Sequence, residues 1–94
     1  MIRSFSDGAL KRLWEDGRIK GIDPKSLSKI KRLLVSLDAI CHPDEMDLPG
    51  YHYHALKGDR EGQYAVTIRA NWRIVFEWDG EHAVRVRQED YHGD

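Results

Sequence analysis

One cysteine, Cys41, in 94 residues excludes an internal disulfide framework and a cysteine-rich zinc site. The same scarcity predicts a reducing, cytoplasmic setting. No stretch approaches about 18 consecutive apolar residues, which argues against a membrane-spanning helix. No charged segment leads into an apolar run at the start, so no secretory signal is expected. Internal repeats, low-complexity tracts and linkers are also missing. Ninety-four residues leave room for a single domain, 1–94, with one modest core. The chain lacks an excess of positive charge as well: 15 basic and 16 acidic residues give a net −1, at face value a poor footprint for nucleic acid.

The charge that is present is divided along the chain. Residues 1–40 carry nine basic and five acidic side chains, and residues 41–94 carry six basic and eleven acidic. A near-zero total therefore conceals a basic first part and an acidic second part. The acids of the second part gather at Asp44, Glu45 and Asp47, at Glu77, Asp79 and Glu81, and at Glu89, Asp90 and Asp94.

The apolar pattern predicts two helices and then strands. The opening Met1–Phe5 reads as a short edge or central strand. Ser6 reads as an N-cap, Phe5 and Leu10 have hydrophobic-staple spacing, and Gly17 reads as a stop, giving a helix over about 6–16. Asp23-Pro24 reads as the start of a second helix. There Leu27, Ile30, Leu33, Leu34, Leu37 and Ile40 repeat every three or four residues. Lys25, Lys29, Arg32 and Ser36 fall opposite that stripe, as a solvated face or as a patch for phosphate or a partner. Residues 42–50 read as a loop. From Tyr51 onward the period becomes two, with strands around Tyr64–Arg69, Trp72–Trp78 and His82–Arg87. The fold class expected is α+β, two N-terminal helices packed on a small, mostly antiparallel sheet.

Register decides where the arginines point. A three-residue turn over Asp79–Glu81 pairs Trp78 with His82, Phe76 with Val84 and Ile74 with Val86, which gathers the apolar residues on one face. Arg69, Arg73, Arg85 and Arg87 then share the opposite face, with Glu77 as acidic company. Guanidinium forks match phosphate oxygens, so this face would attract phosphates. Arginines paired with loop or C-terminal acids are the competing expectation.

Titratable groups concentrate in Tyr51–Arg60 and in Glu89–His92. Cleaving RNA through its own 2′-hydroxyl takes a base, an acid and cations to stabilise the phosphorane. His54, Asp90, Tyr91 and His92, with Lys57 and Arg73, supply all three without a metal. His52 and His54 lie on one face of a strand, but no third ligand stands at a recognisable spacing, so neither metal nor other cofactor is expected. His42 and His82 read as surface residues, and Cys41 as packing.

The opening "MIRSF", the segment "HALKGDREGQYAVTIRANWRIVFEW" and the ending "EDYH" resemble the HigB toxins, plasmid-maintenance killer proteins of the RelE superfamily. The resemblance runs over nearly the whole chain and is densest from His54 to Trp78. It implies the microbial ribonuclease (RelE-like) fold and cleavage of messenger RNA in the ribosomal decoding site. It also implies a HigA-like helix-turn-helix antitoxin, and operator DNA bound through the toxin–antitoxin complex. By position it places the catalytic cluster on His54, Asp90, Tyr91 and His92, and the cationic substrate contacts on Lys57 and Arg73. His54 and His92 are then the proton-transfer groups. Ala55 stands where the family more usually has proline, which returns an amide to that strand. A reading from another class is an interaction protein that binds an antitoxin-like partner and contributes to operator binding alone.

Overall fold

The computed structural model describes residues 1–91. Helix α1 spans Gly8–Asp16 and α2 spans Leu27–Ala39; strands follow at β1 (His54–Ala55), β2 (Gln63–Arg69), β3 (Trp72–Trp78) and β4 (Ala83–Asp90). The four strands form an antiparallel sheet in sequential order. The opening segment joins the far edge through parallel bridges, Ile2 to Ala83 and Phe5 to Val86. Two helices on an antiparallel sheet is the α+β arrangement expected.

Both helices lie on one face of the sheet, α1 against β4 and α2 against β2. Leu10 and Leu13 of α1 and Ile30, Leu33, Leu34 and Leu37 of α2 meet Val66, Ile68, Ile74, Phe76, Ala83 and Val86 in one buried cluster. Each of the valine, leucine, isoleucine and phenylalanine side chains among them contributes about 1.5–3 kcal/mol when fully buried. Ala65 and Val75 are buried as well, although they point away from the helices.

Two helix starts differ from the sequence expectation. Asp7, not Ser6, caps α1: its carboxylate accepts from the amides of Ala9 (2.9 Å) and Leu10 (3.3 Å). Its second oxygen accepts from the backbone and side-chain nitrogens of Gln88, at 2.9 and 3.2 Å. A carboxylate reaches both the helix and β4, whereas the Ser6 hydroxyl donates to the carbonyl of Arg85. The second start is displaced by a turn. Asp23 accepts from the Lys25 amide and the Ser26 hydroxyl, closing a turn ahead of α2. Gly17 does end α1, at φ +72° in the left-handed region that glycine tolerates.

The β3–β4 register also differs. The connection holds four residues, Asp79–His82, because the Asp79 carboxylate accepts from the amides of both Glu81 and His82. Trp78 therefore pairs with Ala83 and Glu77 with Val84, and the register then shifts before Val75 pairs with Arg87. Arg85, at φ +55°, sits in the bulge. The bulge returns Val86 to the core and leaves Val84 outside it. A second shift between Thr67 and Arg69 pairs Arg69 with Trp72.

Candidate functional site

The face turned away from the helices carries a cleft of about 570 Å³. His52, His54, Leu56, Lys57 and Arg60 form one wall; Thr67, Ala70, Asn71, Trp72 and Arg73 form the floor and one end; Glu89, Asp90 and Tyr91 close the other side.

The first wall is fixed by tyrosines that alternate with the histidines. Tyr53 stacks on Tyr64 (6.2 Å between centroids), and Tyr64 stacks on Phe76 (5.5 Å). The Tyr53 hydroxyl donates to Asp44 at 2.8 Å, and burial together with that carboxylate raises its pKa, so it stays protonated. The Tyr51 carbonyl accepts from Thr67 N–H at 2.8 Å, and its hydroxyl bonds Ser36 at 3.1 Å. Tyr51 and Tyr53 pack against the core, while His52 and His54 line the cleft. His52 adopts φ +48°, strained for a residue with a Cβ. After Leu56, whose amide bonds the Gln63 carbonyl, Lys57 leads into a short helical turn, Gly58–Arg60.

The other side is organised by Glu89. Arg60 donates to both of its carboxylate oxygens, each at 2.6 Å, and Arg73 donates to one of them at 2.8 Å. Arg73 and Glu89 are direct cross-strand partners. These bonds, with Arg60 as the largest influence, hold the Glu89 pKa down to about 2. The Arg73 guanidinium also lies over the Tyr91 ring, 4.2 Å from its centroid, a cation–π contact. Tyr91 is in turn tethered by its amide to the Asn71 carbonyl at 2.6 Å. Arg73 is 13% exposed, and its buried Nε finds no hydrogen-bond partner among the described residues.

Five of the residues singled out from sequence therefore converge on one cleft: His54, Lys57, Arg73, Asp90 and Tyr91. His92 lies outside the described residues. The other arginines are not brought there. Arg69, turned by the bulge in β2, faces Asp23 at 3.8 Å. Arg85 and Arg87 both meet Glu77 at 3.4 Å, and Arg87 also donates to Gln63. The arginine surface expected from alternation is thus an ion-pair network, because β4 runs on to Asp90 and sets Glu89 among the guanidiniums. Sequence reasoning did not single out Arg60, Glu89 or Trp72 as site residues. Arg60 lies within the titratable segment, and Glu89 adjoins Asp90; those adjacencies were the available signal.

Two helices on one face of a sequential four-stranded antiparallel sheet recur in solved structures of other proteins. The YoeB dimer from Staphylococcus aureus has this fold at a TM-score of 0.61 and 22% identity, over 98% of this chain and 95% of that one. YafQ from E. coli strain BL21(DE3) has it at 0.55 and 13% identity, over 96% and 91%. Sequence is more specific. Residues 3–92 match the family described as the RelE-like toxin of type II toxin-antitoxin system HigB. Endoribonuclease HigB of Proteus vulgaris is 39% identical over 92 residues, which span 98% of this chain and 100% of that protein. The chain belongs to the HigB family of RelE-like toxins, and a type II system implies an antitoxin partner.

Proposed function

We propose that this cleft is where the toxin cleaves messenger RNA, by attack of the RNA's own 2′-hydroxyl on the neighbouring phosphorus. The 2′-oxygen gives its proton to a base as its bond to phosphorus forms, and the P–O5′ bond breaks as an acid protonates the departing 5′-oxygen. A 2′,3′-cyclic phosphate and a 5′-hydroxyl result, with no redox step or added co-reactant. His54 and His92 are the proton-transfer pair, and Asp90 orients or activates one of them. Lys57 and Arg73 hold the phosphate and offset charge on the phosphorane. Tyr91, 41% exposed, offers ring surface to a base. The observation that carries this reading is the convergence of His54, Lys57, Arg73, Asp90 and Tyr91 on a single cleft.

The substrate is mRNA in the ribosomal decoding site, in the cytoplasm. The partner is a HigA-like helix-turn-helix antitoxin, and the pair binds operator DNA. Among the described residues no helix is long and apolar enough to cross a membrane. Induction without antitoxin arrests growth and leaves new transcript ends, while His92→Ala or Asp90→Ala relieves the arrest at equal protein level. Normal growth with abundant, folded wild-type protein overturns the reading. Parallel assays on free mRNA and on programmed ribosomes decide the dependence on the ribosome.

A further inference from the structure

Glu89 is an anion placed next to cations that, on the proposed function, hold a phosphate. For binding alone this placement is adverse, since a carboxylate repels the substrate's charge and competes for the same guanidinium donors. Its surroundings are nonetheless built around it. Arg60 grips both oxygens at 2.6 Å, Arg73 takes one at 2.8 Å, and Arg87 Nε lies 3.9 Å away. The Glu89 side chain is only 26% exposed, unlike the open surface pairs that contribute little.

Three parts of the cleft meet at this carboxylate. Arg60 ends the short turn that follows Lys57, so its fork ties the Lys57 loop to β4. Arg73 donates to Glu89 and lies over the face of Tyr91. Glu89 itself immediately precedes Asp90 and Tyr91. The nearby Glu77 is engaged with Arg85 and Arg87 instead.

We propose that Glu89 and Arg60 form a positioning clamp that touches no reacting atom but fixes Lys57 and Arg73 against the strand end bearing Asp90 and Tyr91. The inference rests on the cleft being the cleavage site. The clamp trades phosphate affinity for orientation, a favourable exchange only when alignment in the transition state limits the rate. Glu89 stays ionised at working pH, with its pKa held near 2 by Arg60 and Arg73, so it takes no part in proton transfer.

The test uses the full chain carrying Glu89→Gln, which keeps the shape and removes the charge. Single-turnover cleavage of a defined mRNA on programmed ribosomes gives the rate, and an RNA with a 2′-deoxy group at the scissile position gives the affinity. The expected loss in cleavage rate is roughly 30- to 100-fold, the scale of a small misalignment. Affinity for the uncleavable RNA stays unchanged or tightens, and the limbs of the pH–rate profile do not move. Arg60→Ala produces a loss of the same order, and the double variant is no slower than the slower single one. A folded Glu89→Gln protein that cleaves within about threefold of wild type overturns the clamp, as does a rate loss that merely tracks weaker RNA binding. A shifted pH limb overturns it too, by making Glu89 a proton-transfer group. Should Glu89→Gln fail to fold, Arg60→Lys, which keeps the charge and loses the fork, is read by the same criteria. Wild-type protein that cleaves neither free nor ribosome-bound mRNA refutes the proposed function instead, and does so before any variant is compared.

Discussion

At the scale of single residues, Arg73 shows how environment alters what a substitution reports. Read as an exposed member of an arginine face, it invites charge reversal as a clean probe of RNA binding. In the structure it is 13% exposed, bonded to Glu89 and stacked over Tyr91. Arg73→Glu therefore sets two carboxylates against each other in a half-enclosed site and takes the cation from the Tyr91 ring. A stability loss of roughly 1.5–3 kcal/mol is expected, the scale of a charged hydrogen bond removed without replacement. Arg73→Lys keeps the charge, loses the planar fork, and should melt within a few degrees of wild type while cleaving at least about tenfold more slowly. Thermal melts paired with cleavage rates separate the two effects. Equal stability of Arg73→Glu and wild type would show that the Glu89 contact is not formed.

His54, Lys57, Asp90 and Tyr91 stand out in the sequence because titratable residues gather in two short segments, and Arg73 because alternation puts it on an arginine face; the structure lines one cleft with all five. In the sequence Glu89 reads as one of the terminal acids. Its role was hidden because a carboxylate's partners across strands depend on register. His52 stood out as half of a possible metal pair, and its positive φ has no signature in residue type.

At the scale of elements, alternation and helical spacing placed both helices and the three long strands, while their joints escaped. A bulge sets two residues against one, and nothing in an apolar pattern marks the extra residue. The alternation thus puts Val84 in the core and Arg85 on a regular strand, whereas Arg85 occupies a left-handed bulge position. The α1 cap escaped for a similar reason: Ser6 and Asp7 are adjacent capping types, and only the contact with Gln88 on β4 selects Asp7. This choice is testable. Asp7→Ala should cost roughly 2–3 kcal/mol, combining a lost N-cap with a Gln88 amide left short of its acceptor. Ser6→Ala, which removes one exposed hydrogen bond, should cost less than about 0.5 kcal/mol. Urea denaturation with matched slopes measures both. A larger loss from Ser6 than from Asp7 would return the cap to the residue that spacing alone suggests.

At the scale of the whole molecule, the near-zero net charge conceals how few cations the cleft leaves for RNA. Arg60 is committed to Glu89, and Arg85 and Arg87 to Glu77, while Arg69 faces Asp23. Of the cations lining the cleft, Lys57 makes no ion pair among the described residues, and Arg73 shares Glu89 with Arg60. The grip of the cleft on a single-stranded RNA therefore amounts to about two neutralised phosphates, each adding roughly −0.7 to the slope of log affinity against log salt. A slope near −1.4 is expected for an uncleavable oligonucleotide, with Lys57→Ala reducing its magnitude by about 0.7. An arginine face free to bind phosphate would instead involve Lys57 and four arginines and give a slope near −3.5. Fluorescence anisotropy between 50 and 300 mM salt, roughly the range over which such slopes are measured, distinguishes the two. The shallow slope means that this cleft aligns RNA more than it attracts it, so affinity must come from contacts outside the cleft. The steep one would mean that the ion pairs with Asp23, Glu77 and Glu89 open when RNA arrives.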